Sequence, residues 1–500
     1  MGQIDTLFQE VMQARMRVYR MGKPAPIEEY ERPEGGKLLL KREDLSPIHA
    51  YKWRGAYNMI AAQPEEVLRN GVVTASAGNH GQGVALAAAR IGCKAYIYMP
   101  NTVARMKANE VARLGGEFAE VVITGDSYDD ASAAAKAAAH ERGMLYIPAY
   151  DNLLVMAGQG TIGDEIMVHS TKPDVVFLQI GGGGLAGSVA CVIKTYAPHT
   201  RIIGVEGEDQ ASMKAAQEAG RPVTLSHVDV FCDGTAVRRA GDITFDYCRK
   251  YIDEFITVSN DDVCAAVQRI WETSRTIAEP SGAMGMAGFL KMQHELAGKN
   301  VCVIVSGANM DFARLSLVSR RAGVGLSSKR YVEIEIPEQA GSMLALLKAL
   351  ADLDLNIVDF MYGKTHTSRA FPVFGFSGLE ENLNKLEDHL TASGYAFSNV
   401  SKREDVMFRI INYDPSLFSH PFFAILEFPE RPGALMEFMT DAAQWCSICY
   451  FNYDNRGEMV GTALMGFEFD SKENRNAFLN YLDAKGPHYT QVSLRALDHH

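Results

Sequence analysis

Along the first 320 residues, short apolar runs alternate with longer segments whose apolar positions recur at helical spacing. After an opening helix, Lys37-Leu-Leu-Leu-Lys41 reads as a strand broken by Asp44-Leu-Ser-Pro47, and a helix starts at Lys52 and runs through Ala62. A strand from Gly71 enters a polar, glycine-rich turn, Ser76-Ala77-Gly78-Asn79-His80-Gly81-Gln-Gly83, which precedes an alanine-rich helix over 84–90. The rhythm continues with strand 94–99, helices 103–114 and 127–142, strand 144–147, helix 157–169, strand 174–180, helix 185–194 and strand 201–205. Glu279-Pro-Ser-Gly282 opens another helix, and strand 301–305 delivers Ser306-Gly307-Ala308-Asn309. Such alternation predicts an α/β fold with parallel strands covered on both faces by helices.

The pattern changes after Ala322-Gly-Val-Gly-Leu-Ser-Ser-Lys329, whose composition reads as a linker. Val332-Glu-Ile-Glu-Ile-Pro337-Glu-Gln-Ala-Gly341 recurs 92 positions later as Ala424-Ile-Leu-Glu-Phe-Pro429-Glu-Arg-Pro-Gly433, and Leu390, Gly394, Val400 and Ser401 match Leu482, Gly486, Val492 and Ser493. Each copy reads strand, turn, helix, strand, strand, helix, strand, a split βαβ pattern of the ferredoxin-like kind. The expected domains are 1–322, 329–401 and 423–494.

Composition narrows the partners. A net charge of −12, with no basic block, argues against capture of nucleic acid or of an anionic membrane. No apolar run approaches the roughly 18 residues of a membrane span. The N-terminus lacks a secretory apolar region. It matches the myristoylation pattern from Gly2 to Thr6, but no polybasic segment follows. Eight scattered cysteines suit a reducing, cytoplasmic compartment, and Cys446-x-x-Cys449, without a second pair or a histidine cluster, reads as packing. Small molecules are the expected partners.

Four stretches carry candidate chemistry. Lys52 lies between Tyr51 and Trp53, and desolvation favours the neutral amine that attacks carbonyls. In the Ser76 to Gly83 turn, backbone amides can hold a carboxylate and Asn79 can offer its amide to a phenolic oxygen, while His80 reads as a turn histidine bonded to its surroundings. Gly181-Gly182-Gly183-Gly184 follows a strand and opens a helix at Leu185, an arrangement that suits close approach of a phosphate. Gly182-x-Gly184-x-x-Gly187 with Glu206 also satisfies a dinucleotide fingerprint, so this loop alone does not separate a nicotinamide cofactor from another phosphate-bearing one. Ser306 stands at the carboxyl end of a strand, where ligands bind in open α/β sheets.

Together, Tyr51-Lys52-Trp-Arg54-Gly55-Ala56, Ser76-Ala77-Gly78-Asn79-His80, Gly181 to Leu185 and Ser306-Gly307-Ala308-Asn309 resemble, in order, the motifs of the threonine deaminase family. These are pyridoxal-phosphate enzymes of the tryptophan-synthase β fold, also called fold type II. The resemblance implies that Lys52 bonds pyridoxal 5'-phosphate, that the amides of Gly181, Gly182, Gly183, Gly184 and Leu185 hold its phosphate, that Asn79 meets its ring oxygen and that Ser306 meets its ring nitrogen. Ser76, Ala77, Gly78, Asn79 and His80 would receive the substrate carboxylate. A hydroxyl at the ring nitrogen, unlike a carboxylate, implies a weaker electron sink, for which loss of a β-substituent is the easier route. The nicotinamide reading gives Lys52 and Asn79 nothing to do. Ala77 stands where related serine racemases carry a second serine, which argues against racemisation. Tyr51 and Trp53 depart from the family's usual phenylalanine and aliphatic residue, leaving the pocket shape open.

The implied reaction is deamination of L-threonine to 2-oxobutanoate and ammonia, with L-serine as the rival substrate and an inactive amino-acid sensor as the rival class. The C-terminal repeat resembles the tandem ACT-like regulatory domains of the long biosynthetic forms. In that family they bind isoleucine as inhibitor and valine as activator within a homotetramer, and the effector contacts expected here are Gly341, Gly433 and Leu435.

Overall fold

A computed structural model describes residues 5–492 except 104, 340, 354, 408, 430–433, 455–459, 485–486 and 488. The chain divides into two compact units, Met1–Val318 and Ser319–His500.

The first unit is built on two sheets. The larger runs Ile27–Glu31, Lys37–Arg42, Val301–Val305, Val175–Gln179, Arg201–Gly207 and Glu254–Val258. All neighbours in it are parallel except the edge pair 27–31 with 37–42. The smaller is wholly parallel and runs Ala119–Ile123, Ala95–Met99, Val72–Ala75 and Leu145–Tyr146. Its edge strand 119–123 is only half-buried and carries Glu120, so it lacks the apolar run that marks its neighbours. Strand 301–305, in contrast, is buried at every position, as its uninterrupted Val-Cys-Val-Ile-Val run requires.

Two boundaries depart from the sequence reading. The helix expected over 84–90 starts at Asn79 and runs to Ile91, absorbing the glycines read as turn. The reason is close packing on helix Trp53–Ala61: a Cβ at Gly83 would lie 3.0 Å from the Trp53 Cα. The linker expected from Ala322 is helical until Gly325, because Val318 and Ala322 are buried and their packing outweighs the glycines' low helix propensity.

Helix 53–61, which follows Lys52, is anchored by buried charge. The Arg54 guanidinium is fully buried and grips Glu43 with two 2.9 Å bonds from Nε and Nη2. Its Nη1 donates to Glu165 at 2.7 Å and to Thr161 at 3.0 Å. Lys41 Nζ completes the cluster on Glu165, placing two cations against two carboxylates. Arg54 holds Glu165 below the usual carboxylate range against the opposing effect of burial.

Among the described residues the second unit is a nine-stranded sheet with helices, the short strand Arg369–Ala370 pairing with 329–337. Each repeat has the expected order: 329–337, helix 342–350, 356–363, 373–377, helix 380–392 and 396–399, then 422–429, helix 434–442, 447–454, 460–468, helix 472–484 and 489–491. The copies join through antiparallel pairing of 356–363 with 447–454, Phe360 opposite Tyr453. Phe360 touches Phe374 and Phe451 at ring separations of 4.5 and 4.4 Å, so one aromatic core spans both copies.

Replacing Arg54 with methionine removes the guanidinium and leaves Glu43 and Glu165 sharing one cation. Loss of about 3–5 kcal/mol is expected, as for other broken buried pairs, and urea unfolding followed through the first unit checks it.

Candidate active site

The three strands at the centre of the larger sheet end on the same side. Strand 37–42 leads through Glu43–Leu45 to Lys52, strand 301–305 ends at Ser306, and strand 175–179 ends at the Gly181–Gly184 turn. Backbone pairing joins the first two: Tyr51 N donates to Ser306 O at 3.1 Å, Ala308 N donates to His49 O at 2.9 Å, and Ala50 bridges Gly307. The result is a cleft lined by Tyr51, Lys52, Asn79, the Gly181–Leu185 segment and Ser306, together with Tyr150, Gln179, Thr235 and Glu279.

The glycine turn is shaped by contact. Gly183 has a left-handed backbone (φ +94°), and a Cβ at Gly182 would sit 2.4 Å from the Tyr150 ring. Thr244 Oγ1 donates to Gly182 O at 2.5 Å and fixes the turn from outside. Helix Gly184–Tyr196 begins here without a side-chain cap, so its first amides and the positive end of its dipole are available to an anion. Glu206, the acidic partner in a dinucleotide reading, is turned away: it is buried and accepts the amides of Met213 and Lys214, both at 2.8 Å. The nicotinamide alternative loses its ribose contact.

Burial lowers the proton affinity of Lys52, with Glu279 and Asp233 opposing it. Tyr51 forms part of the cleft wall, but Trp53 does not enclose the amine as the sequence suggested; its ring packs with Val18, Ile48 and Ala50 in a separate cluster. Asn79 begins helix 79–91, its Oδ1 accepting from Asn309 at 2.8 Å and its Nδ2 donating to Glu279 Oε1 at 2.8 Å. That leaves Asn79 Nδ2 one N–H for a ligand.

Glu279 is the site residue that sequence reasoning missed, having been read only as a helix start. Its buried carboxyl is pushed up to about 7 by desolvation and by Asp233, against the Asn79 bond and the Lys52 charge. The signal was available in Glu279-Pro-Ser-Gly282: an acidic residue ahead of a helix-initiating proline, in a segment otherwise apolar enough to bury it.

Ser76, Ala77 and Gly78 form the half-buried turn beside the cleft, with Gly78 N donating to Ser76 Oγ at 3.2 Å. His80 stands behind that turn and is not part of the cleft wall. Its Nε2 lies 3.0 Å from Ile147 O, and burial pushes its pKa down to about 4, so it is a neutral tie. Of the expected effector contacts, Gly341 lines a second cavity in the other unit, Leu435 packs against that unit's core, and Gly433 lies outside the described residues.

An uncapped amide turn for a phosphate, an amine of lowered proton affinity for an aldehyde, and Asn79 and Ser306 across the same cleft suit pyridoxal phosphate. Among the described residues no group of three or more His, Cys, Asp or Glu is placed to hold a metal, and no helix is long and apolar enough to cross a membrane.

Comparisons with known proteins agree with this geometry. Residues 19–307 match the family of pyridoxal-phosphate dependent enzymes, and residues 320–410 and 419–497 match the C-terminal regulatory domain of threonine dehydratase. The L-threonine dehydratase biosynthetic IlvA of Escherichia coli (strain K12) is 38% identical over 468 residues, covering 92% of this chain and 90% of that protein. The chloroplastic biosynthetic threonine dehydratase of Arabidopsis thaliana is 36% identical, covering 92% and 78%. The solved processed form of threonine deaminase isoform 2 from Solanum lycopersicum is 41% identical, with a TM-score of 0.62, over 64% of this chain and 95% of that one. Maize serine racemase is 29% identical, with a TM-score of 0.58, over 62% and 95%. The amine, the amide turn and the regulatory repeat thus sit in one polypeptide of which the threonine dehydratases compared cover 92%, and the chain belongs to the biosynthetic threonine dehydratase family of pyridoxal-phosphate dependent enzymes.

Proposed function

We propose that the cleft dehydrates and deaminates L-threonine to 2-oxobutanoate and ammonia, the first committed step of isoleucine biosynthesis. The observation that carries this reading is the convergence of Lys52, Asn79, the Gly181–Leu185 turn and Ser306 on one cleft. When bound, pyridoxal phosphate supplies an aldehyde for amines and a conjugated ring that draws electron density from the substrate α-carbon.

The chain's own residues do the rest. The backbone amides of Gly181 to Leu185 would hold the cofactor's phosphate, and the remaining N–H of Asn79 and the Ser306 hydroxyl are the polar groups that would hold its ring. Lys52 Nζ, its proton affinity lowered by desolvation, is the amine that would hold the cofactor's aldehyde and, once released, the base that would take the substrate α-proton. The Ser76 to His80 turn receives the substrate carboxylate on its amides, with the His80 side chain bracing it from behind. Glu279, its carboxyl pushed up to about 7, presents less negative charge to Lys52 than an ordinary carboxylate while still accepting from Asn79. L-serine fits the same scheme with one methyl fewer, and the ratio of kcat/KM for the two substrates ranks them.

The repeat makes the second unit regulatory, with isoleucine as inhibitor and valine as activator, in a homotetramer; the motif resemblance supports both effectors and assembly. A cytoplasmic setting is supported by eight cysteines that are all buried and outside any disulfide.

Lys52→Ala is expected to abolish formation of 2-oxobutanoate from threonine, whereas retained turnover would refute the role of Lys52. Isoleucine should lower initial rates of the full chain and leave unaffected a chain ending after Gly325, where the connecting helix stops; sedimentation equilibrium should return four chains.

The raised Glu279 carboxyl carries a linkage consequence. Between the ordinary carboxylate value of 4.5 and about 7 the folded state holds a proton that the unfolded chain has released, so Glu279 contributes stability below 4.5 that is lost as pH rises to about 7. Thermal unfolding of Glu279→Gln, compared with the parent across that window, should show a shallower fall with pH.

A further inference from the structure

Between helices Ser212–Ala219 and Asp242–Tyr251 the chain forms neither a helix nor an extended strand, yet Gly234, Thr235 and Val237 from this segment line the active-site cleft. Contacts on both sides hold it there. Two ion pairs reach the helices of the smaller sheet, Asp233 to Lys107 at 2.9 Å and Arg238 to Asp129 at 4.0 Å. Toward the larger sheet, a Cβ at Gly181 would lie 3.0 Å from Thr235 Cα, and Arg314 Nη2 donates to Phe231 O at 2.6 Å. Val237 N donates to Thr235 O at 2.8 Å, a three-residue turn that sets the position of Val237 between these anchors.

Aliphatic side chains are few in the cleft. Leu185 and Ala186 belong to the phosphate turn and the helix it opens, which leaves Ala149 and Val237. Ala149 stands two residues after Ile147, whose carbonyl accepts from Thr74 Oγ1 at 2.8 Å and lies 3.0 Å from His80 Nε2. It therefore borders the turn that would receive the substrate carboxylate. Tyr150 joins the two: a Cβ at Gly182 would sit 2.4 Å from its ring, and its hydroxyl donates at 3.3 Å to the carbonyl of Arg239, two residues past Val237. Loops from both sheets thus build one aliphatic corner between the carboxylate turn and the phosphate turn.

An amino acid with its carboxylate on the Ser76 to His80 turn and its nitrogen held at the cofactor carries its β-carbon between those two turns. We propose that Val237, with Ala149 beside it, recognises the β-methyl group of threonine and so sets the preference for threonine over serine. This rests on the reaction proposed above and adds the specificity of the same site. A methyl group leaves water at this wall and costs no hydrogen bond, whereas serine leaves the corner unfilled. One methylene in such a pocket is worth about 10- to 200-fold in discrimination.

Absorbance titrations of the full-length protein loaded with pyridoxal phosphate test the assignment, using L-alanine, L-2-aminobutyrate and L-norvaline. These lack the β-hydroxyl and differ only in side-chain length. The parent should hold 2-aminobutyrate about 10-fold or more tighter than alanine. Val237→Leu fills the corner and should erase that preference, while Val237→Ala opens it and should move the preference toward norvaline. In parallel, kcat/KM for threonine relative to serine should fall about 10-fold in Val237→Leu. A role confined to packing would weaken the three ligands alike, whatever their length. Ratios unaltered in both variants would overturn the role of Val237 while leaving threonine turnover in place. A parent that turns over neither threonine nor serine would overturn the proposed reaction and the recognition with it.

Discussion

The chemistry depends on strand 301–305 lying parallel between strands 37–42 and 175–179. Parallel neighbours must end on the same side, and so the lysine loop, the serine and the glycine turn meet without any of them being near another in sequence. A reversed central strand would send Ser306 to the far edge of the sheet. The pairing of residues 49–51 with 306–308 extends this alignment beyond the strands and brings Lys52 and Ser306 into the lining of one cleft.

Burial of charge then divides into two kinds. Around Arg54 two cations and two carboxylates are matched, so the helix that follows Lys52 has a rigid base. In the cleft the matching is deliberately incomplete: Lys52, Glu279 and His80 are all pushed toward their neutral forms by desolvation. A neutral amine is what attack on an aldehyde demands, and a neutral Glu279 beside it avoids stabilising the ammonium. His80, similarly neutral, holds the turn through its bond to Ile147 O.

Much of this arrangement was legible in the sequence because it rests on local signals. Uninterrupted apolar runs marked the central strands, the four consecutive glycines marked a close approach, and the 92-residue offset exposed the repeat. What stayed hidden required knowledge of partners distant in the chain. Glu279 became a site residue only when the fold brought it to Asn79, and Trp53 left the cleft with its ring packed closely over Gly22. The glycines at 81 and 83 looked like a turn and proved to be helix surface, Gly81 pressed against Ser76 and Ile97 and Gly83 against the start of helix 53–61. The separation of the strands into two sheets was equally out of reach, since pairing partners leave no mark on an apolar pentapeptide.

The account stands on Lys52 being the amine that bonds the cofactor. The most direct measurement is borohydride reduction of the full-length protein supplied with pyridoxal phosphate, followed by peptide mass spectrometry. A single pyridoxyl tag on the Nζ of Lys52 is the predicted result. A tag on a different lysine with position 52 unmodified, or no tag at all, would contradict it.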